Sequence, residues 1–111
     1  MKQKMFLDPQ LKKLVFNWNN PSENKEKKVV VKLFNPNGIG TWYLTELNPN
    51  TNMAFGLCCL QEKELGYVSI DELKKYKGVL GLGIERDAWF PMNKKTLTEV
   101  KEAAWQLLII L

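Results

Sequence analysis

Two Asn-Pro-Asn triplets, Asn35-Pro36-Asn37 and Asn48-Pro49-Asn50, constrain this chain more than any other feature. They separate three runs rich in β-branched, aromatic and aliphatic residues: "KVVVKLF" (28–34), "TWYLTEL" (41–47) and "MAFGLCCL" (53–60). Proline fixes its own φ, and asparagine side chains hydrogen-bond nearby backbone in turns, so each triplet ends one extended run before the next begins. The pattern predicts three antiparallel strands in a meander whose register the turns fix. "MAFGLCCL" is apolar nearly throughout and reads as a central strand covered on both faces.

The flanks read as helix and strand. Asp8 as N-cap, Pro9 at the first helical position, and Leu11, Leu14, Val15 and Trp18 at helical spacing predict a helix over 9–18. "NWNNPSENKEKK" (17–28) is turn-rich and charged, and reads as a mobile exposed loop. "KELGYVS" (63–69) reads as a fourth short strand. Ser69 and Glu72 have capping-box spacing and predict about two helical turns ending near Gly78. "GVLGLGIERDAWF" (78–90) reads as extended or irregular. Thr96 and Glu99 repeat the capping-box spacing before an apolar stripe at Leu97, Val100, Ala104, Leu107, Leu108 and Leu111. The expected fold class is α+β: a single domain over 1–111, with an antiparallel β-meander sheet and three helices packed on one face or at the ends. With 111 residues the chain can bury its own core.

Composition removes several chemistries. There is no histidine, so His-containing zinc sites, Ser-His-Asp triads and Cys-His pairs are excluded. Cys58 and Cys59 are adjacent and would point to opposite faces of a strand, which suits buried thiols in a reducing compartment. Gly78, Gly81 and Gly83 match neither a phosphate-binding loop nor G-x-G-x-x-G, so nucleotide binding is disfavoured and no cofactor is expected. Asp8 and Pro9 interrupt the N-terminal apolar run short of a signal-peptide core, so the expected location is the cytoplasm. "AAWQLLIIL" covers about half of the roughly 20 residues needed to span a bilayer, so no membrane partner is expected. The formal charge of +4 comes from lysines in loose clusters, which read as solvated faces, with nucleic-acid contact as the alternative.

Arg86 is the single arginine among sixteen basic residues, and it sits between Glu85 and Asp87. In an extended chain Ile84, Arg86, Ala88 and Phe90 share one face, while Glu85, Asp87 and Trp89 share the other. The partner of Arg86 must then come from another strand. Glu46 and Glu64 are the candidates for a partly buried ion pair, since each carboxylate lies inside an apolar run. The functional reading of the same residues is a cleft in which Glu64, Tyr67, Glu85, Arg86 and Asp87 come together. Clustered carboxylates can bind a divalent metal or act as general acid and base. Trp42, Tyr43, Tyr67, Trp89 and Phe90 could offer stacking surfaces, although such aromatics also build cores.

Read in order, "VKLFNPNGIGTWYLTEL", "FGLCCLQEKELGYVSIDEL" and "GVLGLGIERDAWF" resemble a family of small bacterial proteins grouped as a domain of unknown function and found on plasmids, conjugative elements and phages. The family's pattern, W-x-x-T-E, F-G-L, E-L-G-Y-x-S-x-x-E-L and E-R-D-x-x-F, falls on Trp42, Thr45, Glu46, Phe55, Gly56, Glu64, Gly66, Tyr67, Ser69, Glu72, Glu85, Arg86, Asp87 and Phe90. Ala88-Trp89 stands where Leu-Tyr is common, and the C-terminal tail is more apolar than the family's endings. The resemblance implies a mobile-element setting and no established activity. The expected function is that of a non-catalytic accessory protein binding another protein. The alternatives are a metal-assisted hydrolase of nucleic acid or nucleotide using its carboxylates, and a nucleic-acid binder using its lysines.

Overall fold

The computed structural model describes residues 4–21 and 27–110, with side chains through Ala103. Residues 22–26 of the turn-rich connection and Leu111 lie outside the described residues. The elements run α1 (Asp8–Asn19), β1 (Val31–Phe34), β2 (Thr41–Asn48), β3 (Met53–Cys59), β4 (Lys63–Ser69), α2 (Ile70–Lys75), β5 (Glu85–Arg86) and α3 (Leu97–Ile110). The strands form one sheet in the order β4-β3-β2-β1-β5, and every neighbouring pair is antiparallel. The fold is α+β, and β1 to β4 form the meander that the Asn-Pro turns predict. "KELGYVS" supplies a full seven-residue strand.

Side chains alternate across the sheet, and register partners share a face. Leu33, Trp42 and Cys58 align on one face, with Val31, Leu44 and Ala54 beside them. This face packs with Leu14 of α1 and with Ile70 and Leu73 of α2. On the opposite face Leu57, Tyr43, Phe55 and Cys59 meet Val29 and the buried Leu97 and Val100 of α3. The helices therefore divide between the two faces. The side chains of Ala104, Leu107 and Leu108 in the expected α3 stripe lie outside the description.

Two local features depart from simple pairing. The β2–β3 register shifts between Leu44 and Glu46, leaving Thr45 unpaired in a bulge. Thr45 is nevertheless buried, because the Asn17 side-chain amide of α1 donates to its carbonyl at 2.9 Å and its own hydroxyl donates to the Phe55 carbonyl at 3.3 Å. The second feature is Gly56, where a Cβ would stand 1.9 Å from the Tyr43 carbonyl oxygen, so the two backbones can approach only at glycine.

Helix starts follow the expected chemistry with one correction. The N-cap of α1 is Leu7, with Asp8 and Pro9 already inside the helix, because the Gln10 side-chain oxygen accepts from the Leu7 N–H at 2.9 Å. The Asp8 carboxylate favours the helix start through its charge. Ser69 Oγ accepts from the Glu72 N–H at 3.2 Å, and α2 ends at Lys75 rather than running to Gly78. Thr96 and Glu99 form the reciprocal pair at α3, with both bonds at 3.2 Å.

Candidate functional site

Sheet order decides where the expected polar cluster falls. Glu64 and Tyr67 sit on β4 at one edge, and Glu85 and Arg86 on β5 at the other. Four interstrand spacings separate these edges, about 19 Å. The five residues do not share a cleft, and an Arg86–Glu64 ion pair is ruled out by that separation. Glu46 is not the partner either. It lies two strands from β5 and well along β2 from Trp42, roughly 16 Å from Arg86. Its carboxylate pairs instead with Lys27 at 2.8 Å. Among the described residues no group of three or more Cys, Asp or Glu is placed to hold a metal ion.

Alternation along β5 sends its charges to different faces. Arg86 aligns with Leu33 and faces the α1 side, where its guanidinium donates to the Lys4 backbone carbonyl. The solitary arginine thus ties the N-terminal segment to the sheet edge, a role that suits a side chain with several donors that never loses its charge. Asp87 on the other face is occupied. Its carboxylate pairs with Lys32 at 3.3 Å and accepts from the Trp89 N–H at 2.9 Å. Lys32 also lies 5.6 Å over the Tyr43 ring, and Tyr43 meets Phe90 edge-on at 5.7 Å. Phe90 therefore packs opposite to Arg86, because the chain turns after Asp87, where the Phe90 N–H donates to the Asp87 carbonyl at 3.3 Å. Burial raises the Tyr43 hydroxyl above its ordinary pKa.

The aromatics offer no common stacking surface. Trp42 is core, Tyr67 lies at the β4 edge against Phe55, and Trp89 stands 93% exposed beyond β5. Burial raises the Cys58 and Cys59 thiols, which face opposite sides of the sheet as free cysteines.

What the fold does assemble is a groove of about 1000 Å³ beside β5, walled by residues 4–8, by the end of α2 and by the glycine-rich turn. Lys4, Lys74, Lys77 and Arg86 bring positive charge to it, against Asp8 and Glu85. Met5, Phe6, Leu73 and Ile84 supply apolar wall. The turn is built by Gly78, whose N–H donates to the Leu82 carbonyl at 2.8 Å, and by Gly81, whose φ of +73° favours glycine. A Cβ on Gly78 would strike the Asn37 side chain, which packs there and donates to the Leu82 carbonyl at 2.8 Å. Asn35 reaches the Tyr76 hydroxyl at 3.2 Å. The β1–β2 turn thus braces the groove wall, and the tip residues Val79 and Leu80 project into solvent at 96% and 80% exposure.

A family model described as "Protein of unknown function (DUF2958)" matches residues 5–110. The chain belongs to the DUF2958 family. No curated protein and no solved structure matches it. In this DUF2958 protein the groove draws on segments far apart in the chain, and of its lining residues Glu85 and Arg86 are the ones that sequence marks as candidates. Lys4, Lys74 and Lys77 belong to the loose lysine clusters that read as solvated faces or nucleic-acid contacts, and Asn35 and Asn37 read from sequence only as turn residues. The exposed Val79-Leu80 pair between glycines was the signal for the turn's outward projection. Among the described residues no helix of the DUF2958 chain is long and apolar enough to cross a membrane.

Proposed function

We propose that the protein is a non-catalytic accessory of a bacterial mobile element, acting in the cytoplasm by holding an acidic, partly apolar segment of another protein in the groove beside Arg86. The observation that carries this reading is the groove's make-up, with Lys4, Lys74, Lys77 and Arg86 outnumbering Asp8 and Glu85 beside the apolar wall of Met5, Phe6, Leu73 and Ile84. Its volume stands at the top of the range for small-molecule pockets, so it has room for several side chains of a peptide. Exposed Val79 and Leu80 at the tip of the glycine-rich turn add apolar surface of the kind that marks contact sites. The mobile-element setting draws support from the motif resemblance alone. The hydrolase reading is less favoured, because Glu64 lies across the sheet from Glu85 and Asp87 is engaged by Lys32.

Fluorescence anisotropy tests the reading with labelled peptides in which Glu alternates with Leu or Phe, against matched peptides with Lys for Glu. The acidic set is expected to bind, and Lys74→Glu combined with Lys77→Glu to weaken it at least tenfold. Equal binding of both sets, or unchanged affinity in the double variant, contradicts the proposal. Tight binding of a single-stranded oligonucleotide that collapses steeply with salt favours the nucleic-acid alternative.

A further inference from the structure

The two edges of the sheet are unlike. β5 pairs over only two residues, the kind of short edge that discourages association, whereas β4 runs for seven with no strand beyond it among the described residues. The Ile70 N–H donates to the Asn52 carbonyl at 3.0 Å, and Met53 aligns with Ser69. Hydrogen-bonded and non-hydrogen-bonded pairs alternate in an antiparallel ladder, so Glu64, Gly66 and Val68 point their backbone groups inward to β3. Lys63, Leu65, Tyr67 and Ser69 point theirs outward. The outward set includes Leu65 and Tyr67, which are 57% and 58% exposed.

Among the described residues nothing explains Gly66. Its backbone lies in a strand and is not among the positive-φ residues, and a Cβ there would meet nothing within 4 Å. Glycine inside a strand weakens it and marks places where another backbone comes close. Gly56, one strand away, has such a reason in the Tyr43 carbonyl; among the described residues Gly66 has none.

We propose that two copies of the chain pair antiparallel along β4, with the twofold axis at Gly66, to make one continuous sheet. Backbone groups that point outward must meet others that point outward, which restricts the register. Of the registers that remain, the one centred on Gly66 pairs all seven residues. Leu65 then exchanges backbone hydrogen bonds with Tyr67 of the second copy, and the same apolar pair forms again across the axis. Gly66 opposes its own copy in a non-hydrogen-bonded pair, where Cα atoms come to about 4.5 Å and the two backbones meet with no side chain on either. Lys63 opposes Ser69 and Glu64 opposes Val68, so no like charges face each other. This self-complementarity is what selects a second copy over an unrelated strand. The contact is narrower than the ~800 Å² per partner of a standard interface, so the dimer should depend on concentration. It is independent of the groove.

Sedimentation of the full chain from about 10 µM to about 1 mM tests the pairing. The wild type is expected to shift from monomer to dimer, and Leu65→Lys to weaken the dimer at least tenfold while keeping its circular dichroism spectrum. Gly66→Cys provides a second arm, since its side chain enters open space in the monomer and the Cα separation across the axis suits a disulfide. Mild oxidation should give a covalent dimer of Gly66→Cys and none of the wild type, despite its own Cys58 and Cys59. A wild type that stays monomeric throughout, a dimer undiminished by Leu65→Lys, or a Gly66→Cys chain that resists cross-linking overturns the proposal.

Discussion

At the scale of residues, two glycines in adjacent strands should respond oppositely to the same change. Gly56→Ala forces a methyl group against the Tyr43 carbonyl and should abolish cooperative folding, while Gly66→Ala should be neutral or stabilise the monomer by up to ~1 kcal/mol. Thermal unfolding of the two variants checks this. Arg86→Ala removes the bond to the Lys4 carbonyl, so amide exchange over residues 5–8 should quicken, and unchanged exchange there would dismiss the tether. The cysteines give a pH prediction. Burial holds Cys58 and Cys59 as neutral thiols above their ordinary pKa, whereas in the unfolded chain they ionise from about 8.5. Their contribution is complete below that pH and is lost as pH rises toward the raised folded values. Melting temperature should therefore fall with increasing alkalinity above about pH 8.5, less steeply in Cys58→Ala combined with Cys59→Ala. Alternation alone indicated that these thiols part to opposite faces, a property written in adjacent residues.

At the scale of elements, the bulge in β2 depends on a helix. Asn17 of α1 satisfies the Thr45 carbonyl, which the ladder leaves unpaired, and the Lys27–Glu46 pair lies beside it with Lys27 also donating to the Asn17 carbonyl. Asn17→Ala should destabilise the protein by about 1–3 kcal/mol, the penalty of a buried carbonyl left without its donor. A denaturant titration with an unshifted midpoint would contradict this. Strands β1 to β4 were legible because alternation and turn chemistry are local signals. The bulge was not, since "LTEL" reads as ordinary alternation and the helix that stabilises the irregularity lies 28 residues upstream. β5 was legible as extended chain, but its place was not. Nothing in two residues announces that Arg86 will align with Leu33, more than fifty positions earlier. The Leu7 cap was similarly hidden, because Gln10 rather than the capping residue supplies the side chain.

At the scale of the whole molecule, sheet order overrides proximity in motif. Glu64 and Arg86 both sit in short, distinctive motifs, yet they occupy opposite edges, so a pairing plausible from residue type fails on topology. The groove could not be read in advance for the same reason: its walls come from the chain's start, from α2 and from the glycine-rich turn, and only the fold makes them neighbours. The central claim is that this groove, rather than the carboxylates or the β4 edge, receives the partner. Backbone amide chemical shifts of the ¹⁵N-labelled full chain, titrated with the acidic Glu/Leu peptide, test that most directly. Shifts should concentrate at residues 4–8, 73–77 and 81–86 and vanish in the Lys74→Glu, Lys77→Glu double variant. Shifts centred on 63–69, or spread evenly over the exposed lysines, would contradict the account.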